Sequence, residues 1–176
     1  MTVSEAITKS GITPSASYTG IETANDFVLA FQTDKSKQSK EADWIVCADH
    51  VKEHSGSFAA GECDVCFSHT PISCYVVTRG AEILGYACYN ATAPDFFGPT
   101  RVLDSEQGKG LGKALLLRCL YALREEGYAY AIIGGVGPVA FYEKCVGAHV
   151  IPDSTPGVYK DFLGAIERGI MGTTKD

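Results

Sequence analysis

The chain has 176 residues, 45% of them hydrophobic and 20% charged, and this length and composition predict a single domain over residues 1–176. A formal net charge of −6 argues against nucleic acid or an anionic membrane as the main partner. No apolar run reaches the length of a membrane span, and residues 1–9 lack the basic start and apolar core of a secretory signal, so the sequence predicts a cytoplasmic protein.

The first 71 residues offer only weak patterns. Residues 1–20 are rich in Ser, Thr and Gly and are predicted to be partly loose, with a weak strand near Ser17–Ile21. A first short helix is predicted from Thr23 as its cap to Phe31, followed by a polar loop over residues 34–40. A second helix is predicted to end at Ser55-Gly56, and residues 57–71 are predicted to be irregular. Its apolar face has helical spacing and consists of Trp44, Cys47, Ala48 and Val51.

The chain carries seven cysteines, an odd number. Four lie in apolar patterns and are predicted to be small core residues of a reduced protein, namely Cys47, Cys74, Cys88 and Cys119. The exception is Cys63-x-x-Cys66, which His69 follows three residues later. A zinc site normally needs a second cysteine pair at similar spacing, and the sequence has none. We therefore predict no metal, and a thiol or metal switch at Cys63, Cys66 and His69 remains an alternative.

From Ile72 onward the patterns become regular. Residues 74–78 and 83–89 are β-rich runs joined by a four-residue turn, which predicts a hairpin. A further strand is predicted over Phe96–Leu103 and is interrupted by Gly98-Pro99. Because proline cannot donate to a strand ladder, we expect a bulge or a break in pairing there.

Two helices and a strand follow this hairpin region. A long amphipathic helix is predicted from about Gly110 to Glu126, with Gly127 as its C-cap. Tyr128–Ile133 is predicted to be a fully buried strand, and Val139–Cys145 a second helix. This element order predicts a right-handed crossover and one parallel strand pair within a mixed sheet.

A glycine-rich turn separates the predicted strand from the long helix, and its residues are Gln107, Gly108, Lys109, Gly110, Leu111 and Gly112. Glycines allow a tight turn in which several backbone N–H groups point at one anion, and the helix N-terminus favours a phosphate there. A Walker loop is excluded because Gly-Lys is followed by Gly and Leu. The dinucleotide fingerprint is excluded because no βαβ unit opens the chain. A plain strand-to-helix turn remains the alternative.

The turn resembles the pyrophosphate motif of the GNAT (GCN5-related N-acetyltransferase) superfamily, with Gln107, Gly110 and Gly112 in the motif positions. The resemblance runs from about Ile72 to Ala148 and includes Phe141-Tyr142-Glu143-Lys144. It implies an α/β (α+β) fold with a mixed, mostly antiparallel central sheet, a splayed strand pair and flanking helices. It also implies an acetyl-CoA-binding core over residues 72–151, acceptor-side helices and a loop over residues 21–71, and a C-terminal segment over residues 152–176.

The resemblance assigns roles to particular positions. The turn residues Gln107, Gly108, Lys109, Gly110, Leu111 and Gly112 would hold the pyrophosphate of CoA. Thr100, Arg101 and Val102 match residues whose backbone pairs with the pantetheine arm, and a backbone N–H there would stabilise the oxyanion. Tyr142 matches the general acid that protonates the departing thiolate. Packing on an amphipathic helix is the alternative role of this tyrosine.

Two departures from the family pattern affect the site. Gly135 stands where many members have an asparagine that binds pantetheine, so this turn would hold the cofactor through backbone alone. The predicted strand Tyr128–Ile133 contains no carboxylate base, which leaves Asp95 or an ordered water as the base.

Together these patterns predict an N-acetyltransferase that moves acetyl from acetyl-CoA, without a metal, to a primary amine of a small molecule or peptide. Transfer would be direct, in a ternary complex, because no cysteine lies where a covalent acyl intermediate is implied. The alternative from another class is a CoA-binding regulatory module without turnover. The identity of the amine and the oligomeric state, with a homodimer among the options, are not encoded in a recognisable motif.

Overall fold

A six-stranded sheet forms the centre of the structure, a computed structural model that describes residues 21–24, 27–31 and 39–161, with side chains described for residues 44–159. The strands are β1 (Ile21–Ala24), β2 (Phe27–Phe31), β3 (Cys74–Arg79), β4 (Glu82–Tyr89), β5 (Phe96–Val102) and β6 (Ile132–Ile133). Their order in the sheet is their order in the chain. All neighbours pair antiparallel except β5 and β6, which pair parallel. The predicted mixed, mostly antiparallel sheet is therefore confirmed.

Three α-helices accompany the strands in the described part of the chain: α1 (Ser39–Cys66), α2 (Leu111–Glu125) and α3 (Val139–Val146). Short 3₁₀ turns cover Asp104–Glu106 and Gly157–Asp161. Residues 1–136 and 137–176 form two compact units, so α3 belongs to the second unit and is described by itself. The predicted hairpin, long helix and closing helix are confirmed to within two residues at each end.

The helix predicted from Thr23 to Phe31 is wrong, because this segment forms the β1–β2 hairpin. Its residues include Thr, Val and Phe, which favour strands, and nine residues are too few for a helix that is stable without tertiary packing. Strand β2 also pairs with β3, from Val28 opposite Thr78 to Phe31 opposite Tyr75. A partner more than forty residues away therefore fixes the conformation. Of the predicted strand near Ser17–Ile21, residues 17–20 lie outside the described residues.

Helix α1 is longer than predicted, since it begins inside the predicted loop over residues 34–40 and continues through residues 57–66, which were predicted to be irregular. The predicted break is nevertheless present, because Gly56 has the non-helical angles φ 88° and ψ 172°. Buried residues in the second half recur with helical spacing: Ala59, Ala60, Cys63 and Cys66. Small side chains made this apolar face hard to recognise in the sequence.

The break at Gly56 reverses the direction of the chain. An unbroken helix would separate residues 16 positions apart by about 24 Å, yet the Sγ atoms of Cys47 and Cys63 are 3.9 Å apart. The indole N–H of Trp44 also donates to Asp64 Oδ1 at 3.0 Å, across 20 positions of sequence. The two halves of α1 therefore lie side by side as a helical hairpin with Gly56 at its tip.

The sheet is covered on both faces within the first unit. Helix α1 packs on the face that carries Tyr86 and Cys88, and the Tyr86 hydroxyl and Ser55 Oγ are 2.8 Å apart. Helix α2 packs on the other face, where the Cys119 thiol lies 3.7 Å from the Ala87 carbonyl oxygen. All six residues from Leu84 to Tyr89 are consequently buried, and β4 is the most enclosed of the strands β3 to β6, whose side chains are described.

The strand predicted over Tyr128–Ile133 is much shorter than expected. Only Ile132 and Ile133 pair, both are half-buried, and Tyr130 is 70% exposed. Among the strands that the structure describes, β6 lies at the edge of the sheet and pairs with β5 alone. The prediction of a fully buried strand is therefore wrong, because an edge position buries less of each residue.

Candidate functional site

Strands β5 and β6 touch at one end only. Phe96 pairs with Ile132 and Phe97 with Ile133, and β5 then continues to Val102 without β6. The register of β4 against β5 shifts between Ala87 and Tyr89, so Gly98 and Pro99 form the predicted bulge. The predicted splayed strand pair is therefore confirmed, and among the described residues no strand pairs with this edge of β5 beyond Phe97.

The open edge of β5 presents backbone groups at alternate residues. The N–H of Leu103 donates to the Leu84 carbonyl at 2.9 Å, so Leu103 is turned toward β4. In an antiparallel pair the direction alternates, which turns Arg101 toward β4 and the backbone groups of Thr100 and Val102 toward the open edge. Of the three predicted pantetheine contacts, Thr100 thus directs its backbone N–H and carbonyl to the open edge, and Val102 directs its N–H there while its carbonyl accepts from Gln107.

The open edge leads directly into the glycine-rich turn. Gly108 and Gly110 have φ values of 77° and 87°, in the region that favours glycine. Gly110 is the N-cap of α2, and no side chain of the described residues caps this helix end. The N–H groups of Leu111, Gly112 and the next residue therefore have no partner within the helix. The Leu111 side chain is buried, so only its backbone is available to an anion.

A buried carboxylate holds the turn in place. Glu106 accepts hydrogen bonds from Lys109 Nζ at 2.7 Å and from Arg79 at 2.9 Å, which ties the turn to β3. These bonds, the one from Lys109 first, lower the pKa of Glu106 against the effect of burial. The side chain of Gln107 is likewise engaged, since its amide N–H₂ donates to the Val102 carbonyl at 3.3 Å and to Asp104 at 3.0 Å.

The motif side chains Gln107 and Lys109 thus brace the turn while its backbone N–H groups stay available. Glu106 was missed at the sequence level. An acidic residue three positions before Lys109 was the available signal, although its link to Arg79 depends on the fold.

Asp95 lies where β5 and β6 meet. Its backbone N–H donates to Asn90 Oδ1 at 2.8 Å, and its carbonyl accepts from Ile132 at 2.9 Å. The carboxyl group is buried, and among the described residues Oδ1 has no hydrogen-bond partner. Burial raises the pKa of Asp95 above its ordinary value. A carboxylate with a raised pKa and an unsatisfied oxygen is a suitable proton acceptor.

Gly135 follows β6 in the first unit and has a φ of 55°, which glycine adopts readily. It is exposed, so its turn presents backbone rather than a side chain, as the sequence predicted.

Tyr142 lies in the middle of α3, in the second unit. It is buried, and its ring packs edge-on against Phe141 with centroids 5.0 Å apart. Burial raises the pKa of Tyr142, and the neighbouring Cys145 adds to the effect. The phenol therefore stays protonated at neutral pH, which both a proton donor and a packing residue require.

A sequence model of the acetyltransferase (GNAT) family matches residues 33–148, well over half of the chain. The chain belongs to the GNAT acetyltransferase family. The match includes α1, the sheet from β3 to β6, the glycine-rich turn and α3. Members of the family transfer acetyl groups and use acetyl-CoA as the donor.

Comparison with curated proteins and comparison with solved structures gave no match to this GNAT chain. Within the described residues, no helix has the length and hydropathy that crossing a membrane requires.

Proposed function

We propose that the protein is an N-acetyltransferase that transfers acetyl from acetyl-CoA to a primary amine of a small molecule or peptide. The observation that carries the proposal is the edge of β5 left open beyond Phe97, which runs into an uncapped helix N-terminus at Gly110. An extended chain that ends in a pyrophosphate fits this combination. The edge supplies backbone pairing, and the turn supplies N–H groups for the anion.

The donor would lie along β5 with its pyrophosphate at Gly108–Gly112 and its pantetheine arm beside Thr100 and Val102. Its thioester would then reach the bulge at Gly98-Pro99, where strand pairing ends. A backbone N–H at the bulge would polarise the thioester carbonyl and stabilise the oxyanion of the tetrahedral intermediate. The backbone of the Gly135 turn would complete the binding of the arm.

Transfer would proceed by direct attack in a ternary complex. The amine nitrogen bonds to the acetyl carbon, and the amine proton passes to Asp95 or to an ordered water. The C–S bond then breaks, and Tyr142 donates its proton to the CoA thiolate. No acyl-enzyme intermediate is involved, and no metal takes part in the transfer.

The test measures turnover of acetyl-CoA with a panel of primary amines, and the release of free CoA thiol is used to monitor it. Acetylated product that appears in step with free CoA is the expected result. The alternative, a regulatory module that binds CoA without turnover, is favoured by Gly135 in place of the family asparagine. Tight acetyl-CoA binding by calorimetry with no product from any amine would support that module, and the absence of both would overturn both proposals.

A further inference from the structure

Three buried thiols converge between α1 and the sheet. The Sγ atoms of Cys47, Cys63 and Cys74 all lie within 4.8 Å of one another, and each residue is at most 4% exposed. We refer to these three residues as the thiol cluster. All seven cysteines of the chain are free, so no disulfide accounts for the convergence.

The cluster draws on parts of the chain that are far apart in sequence. Cys47 and Cys63 come from the two arms of the α1 hairpin, brought together by the reversal at Gly56. Cys74 comes from the first residue of β3, where it pairs with Cys88 of β4. Cys88 is also fully buried, and residues opposite each other in a pair have Cβ atoms about 5 Å apart. A fourth sulfur is therefore available beside the three.

The predicted grouping of Cys63 with Cys66 and His69 is not what the structure brings together. The Nδ1 atom of His69 is 2.8 Å from Ser73 Oγ, so the imidazole is engaged away from the cluster. The Cys66 thiol is directed at backbone carbonyls, 3.6 Å from that of Glu62 and 3.8 Å from that of Tyr89. Cys63 instead finds its partners across the helical hairpin and on the sheet.

The distance between the Cys47 and Cys63 sulfurs matches that between two thiolate ligands of one metal ion, and all three sulfurs lie within 4.8 Å of one another. A metal with thiolate bonds of about 2.3 Å separates its ligand sulfurs by about 3.8 Å in a tetrahedral site and about 4.0 Å in a trigonal one. The Cys47 and Cys63 sulfurs are 3.9 Å apart. A disulfide requires about 2.05 Å, so this pair is too far apart to be read as a bond.

We propose that Cys47, Cys63 and Cys74 bind a thiophilic metal ion, Zn²⁺ or Cu⁺, through three thiolates. Each thiol releases its proton to solvent on binding, and the metal keeps its oxidation state. Zn²⁺ would complete a tetrahedron with Cys88, whereas Cu⁺ is satisfied by three sulfurs. The ion fastens the helical hairpin to β3 and takes no part in acetyl transfer. Because the cluster is buried, the metal enters during folding.

The experiment refolds the full chain from denaturant under reducing, oxygen-free conditions with Co²⁺ as a spectroscopic probe. We expect a thiolate-to-cobalt charge-transfer absorption that saturates at about one equivalent, since metal binding is coupled to folding. Separate titrations with Zn²⁺ and with Cu⁺ should displace the cobalt, and the ion effective at the lower concentration is the one that the site binds more tightly. Refolding with that ion should raise the melting temperature above that of metal-free protein.

Matched variants locate the site. Cys63→Ala should lose the absorption and the metal-dependent rise in melting temperature, whereas Cys119→Ala should keep both. Cys119 is equally buried, but its thiol lies against the Ala87 carbonyl. Should Cys63→Ala fail to fold, thiol alkylation of the wild type with and without metal tests the site instead, because bound metal protects the cluster. Wild-type protein that shows no absorption, no bound metal and no metal-dependent protection would overturn the proposal and make the cluster ordinary packing.

Discussion

At the scale of single residues, Tyr142 is the position where catalysis and packing make different predictions. Replacing it with phenylalanine keeps the ring packed against Phe141 and removes only the hydroxyl. If the phenol protonates the CoA thiolate, kcat should fall by ~10²-fold while the melting temperature and the acetyl-CoA affinity stay close to wild type. The measurements are steady-state kinetics with the best amine, a thermal scan and calorimetry.

Tyr121→Phe, which removes the hydroxyl of a half-buried tyrosine on α2, is the control and should leave kcat unchanged. Wild-type kcat in Tyr142→Phe would reduce Tyr142 to a packing residue. Burial raises the pKa of Tyr142 above that of an ordinary tyrosine, which ionises at a pH of ~10. If Tyr142 is the acid, kcat should therefore not fall until the pH exceeds that range.

Replacing Asp95 should raise the stability of the protein and lower its activity. Its folded-state pKa is raised, so the folded protein holds the proton more tightly than the unfolded chain does. This group therefore contributes stability below its unfolded pKa, and the contribution is lost as the pH rises through the folded value. Asp95→Asn removes that loss, and we expect a higher melting temperature than wild type at pH 7 and little difference at pH 3.

The same substitution removes the candidate base, so kcat/KM at neutral pH should fall and its rise with pH should disappear. Thermal scans and pH–rate profiles of both proteins test the two halves separately. A variant with an unchanged profile would assign the proton transfer to water, and unchanged stability at pH 7 would contradict the burial argument.

At the scale of elements, the two ends of α2 carry glycines with similar backbone geometry and different surroundings. Gly110 and Gly127 both have positive φ, 87° and 99°, so alanine at either position is strained. Only Gly110 lies in the proposed pyrophosphate turn. We expect Gly110→Ala to weaken acetyl-CoA binding by at least ~10-fold, about 1.4 kcal/mol.

Gly127→Ala should cost similar stability and leave the affinity unchanged, which calorimetric titration of the two folded variants would measure. Equal affinities in both variants would remove the turn from the donor site.

Gly56 supports a parallel test of the helical hairpin. Its angles, φ 88° and ψ 172°, are in a region that is almost restricted to glycine, and a Cβ there would meet no atom within 4 Å. Gly56→Ala should therefore lower the free energy of unfolding by about 1–3 kcal/mol through backbone strain alone.

Gly61, in the second arm, has open space and no positive φ. Gly61→Ala should raise the free energy of unfolding by roughly 0.5–1 kcal/mol, because alanine favours helix. Chemical denaturation of both variants gives the comparison, and a stable Gly56→Ala protein would mean that the chain reverses by another route.

The elements differ in how far the sequence could predict them. The β3–β4 hairpin, the β5 bulge and α2 depend on residues that are close in sequence, so their turn residues and apolar spacing were enough to predict them. The β1–β2 hairpin depends on pairing with β3, which no local pattern encodes. The same limit applies to the candidate site. The glycine-rich turn can be recognised from consecutive residues. The contacts of Glu106 and the thiol cluster form only when segments distant in sequence come together.

At the scale of the whole molecule, the effect of ligands on thermal stability tests the family assignment without any mutation. A ligand that binds only the folded protein stabilises it, by about 2.7 kcal/mol at a concentration of 100 times its Kd. Acetyl-CoA should therefore raise the melting temperature, and ATP and NAD should do so much less. Thermal scans at matched ligand concentrations make the comparison, and a larger shift with ATP or NAD would point to a different use of the glycine-rich turn.

The order of the strands has a consequence for the way the molecule is assembled. Strand β6 reaches β5 only after the whole of α2 has crossed the sheet, and β3 likewise reaches β2 only after α1. Closing either loop costs entropy, and the β5–β6 joint gains only two residue pairs in return, whereas β2 and β3 form four. We therefore expect this joint to form last during folding and to open first. The donor edge begins at the same joint, so acetyl-CoA would slow amide hydrogen exchange most at Ile132 and Ile133, where the fold itself is weakest.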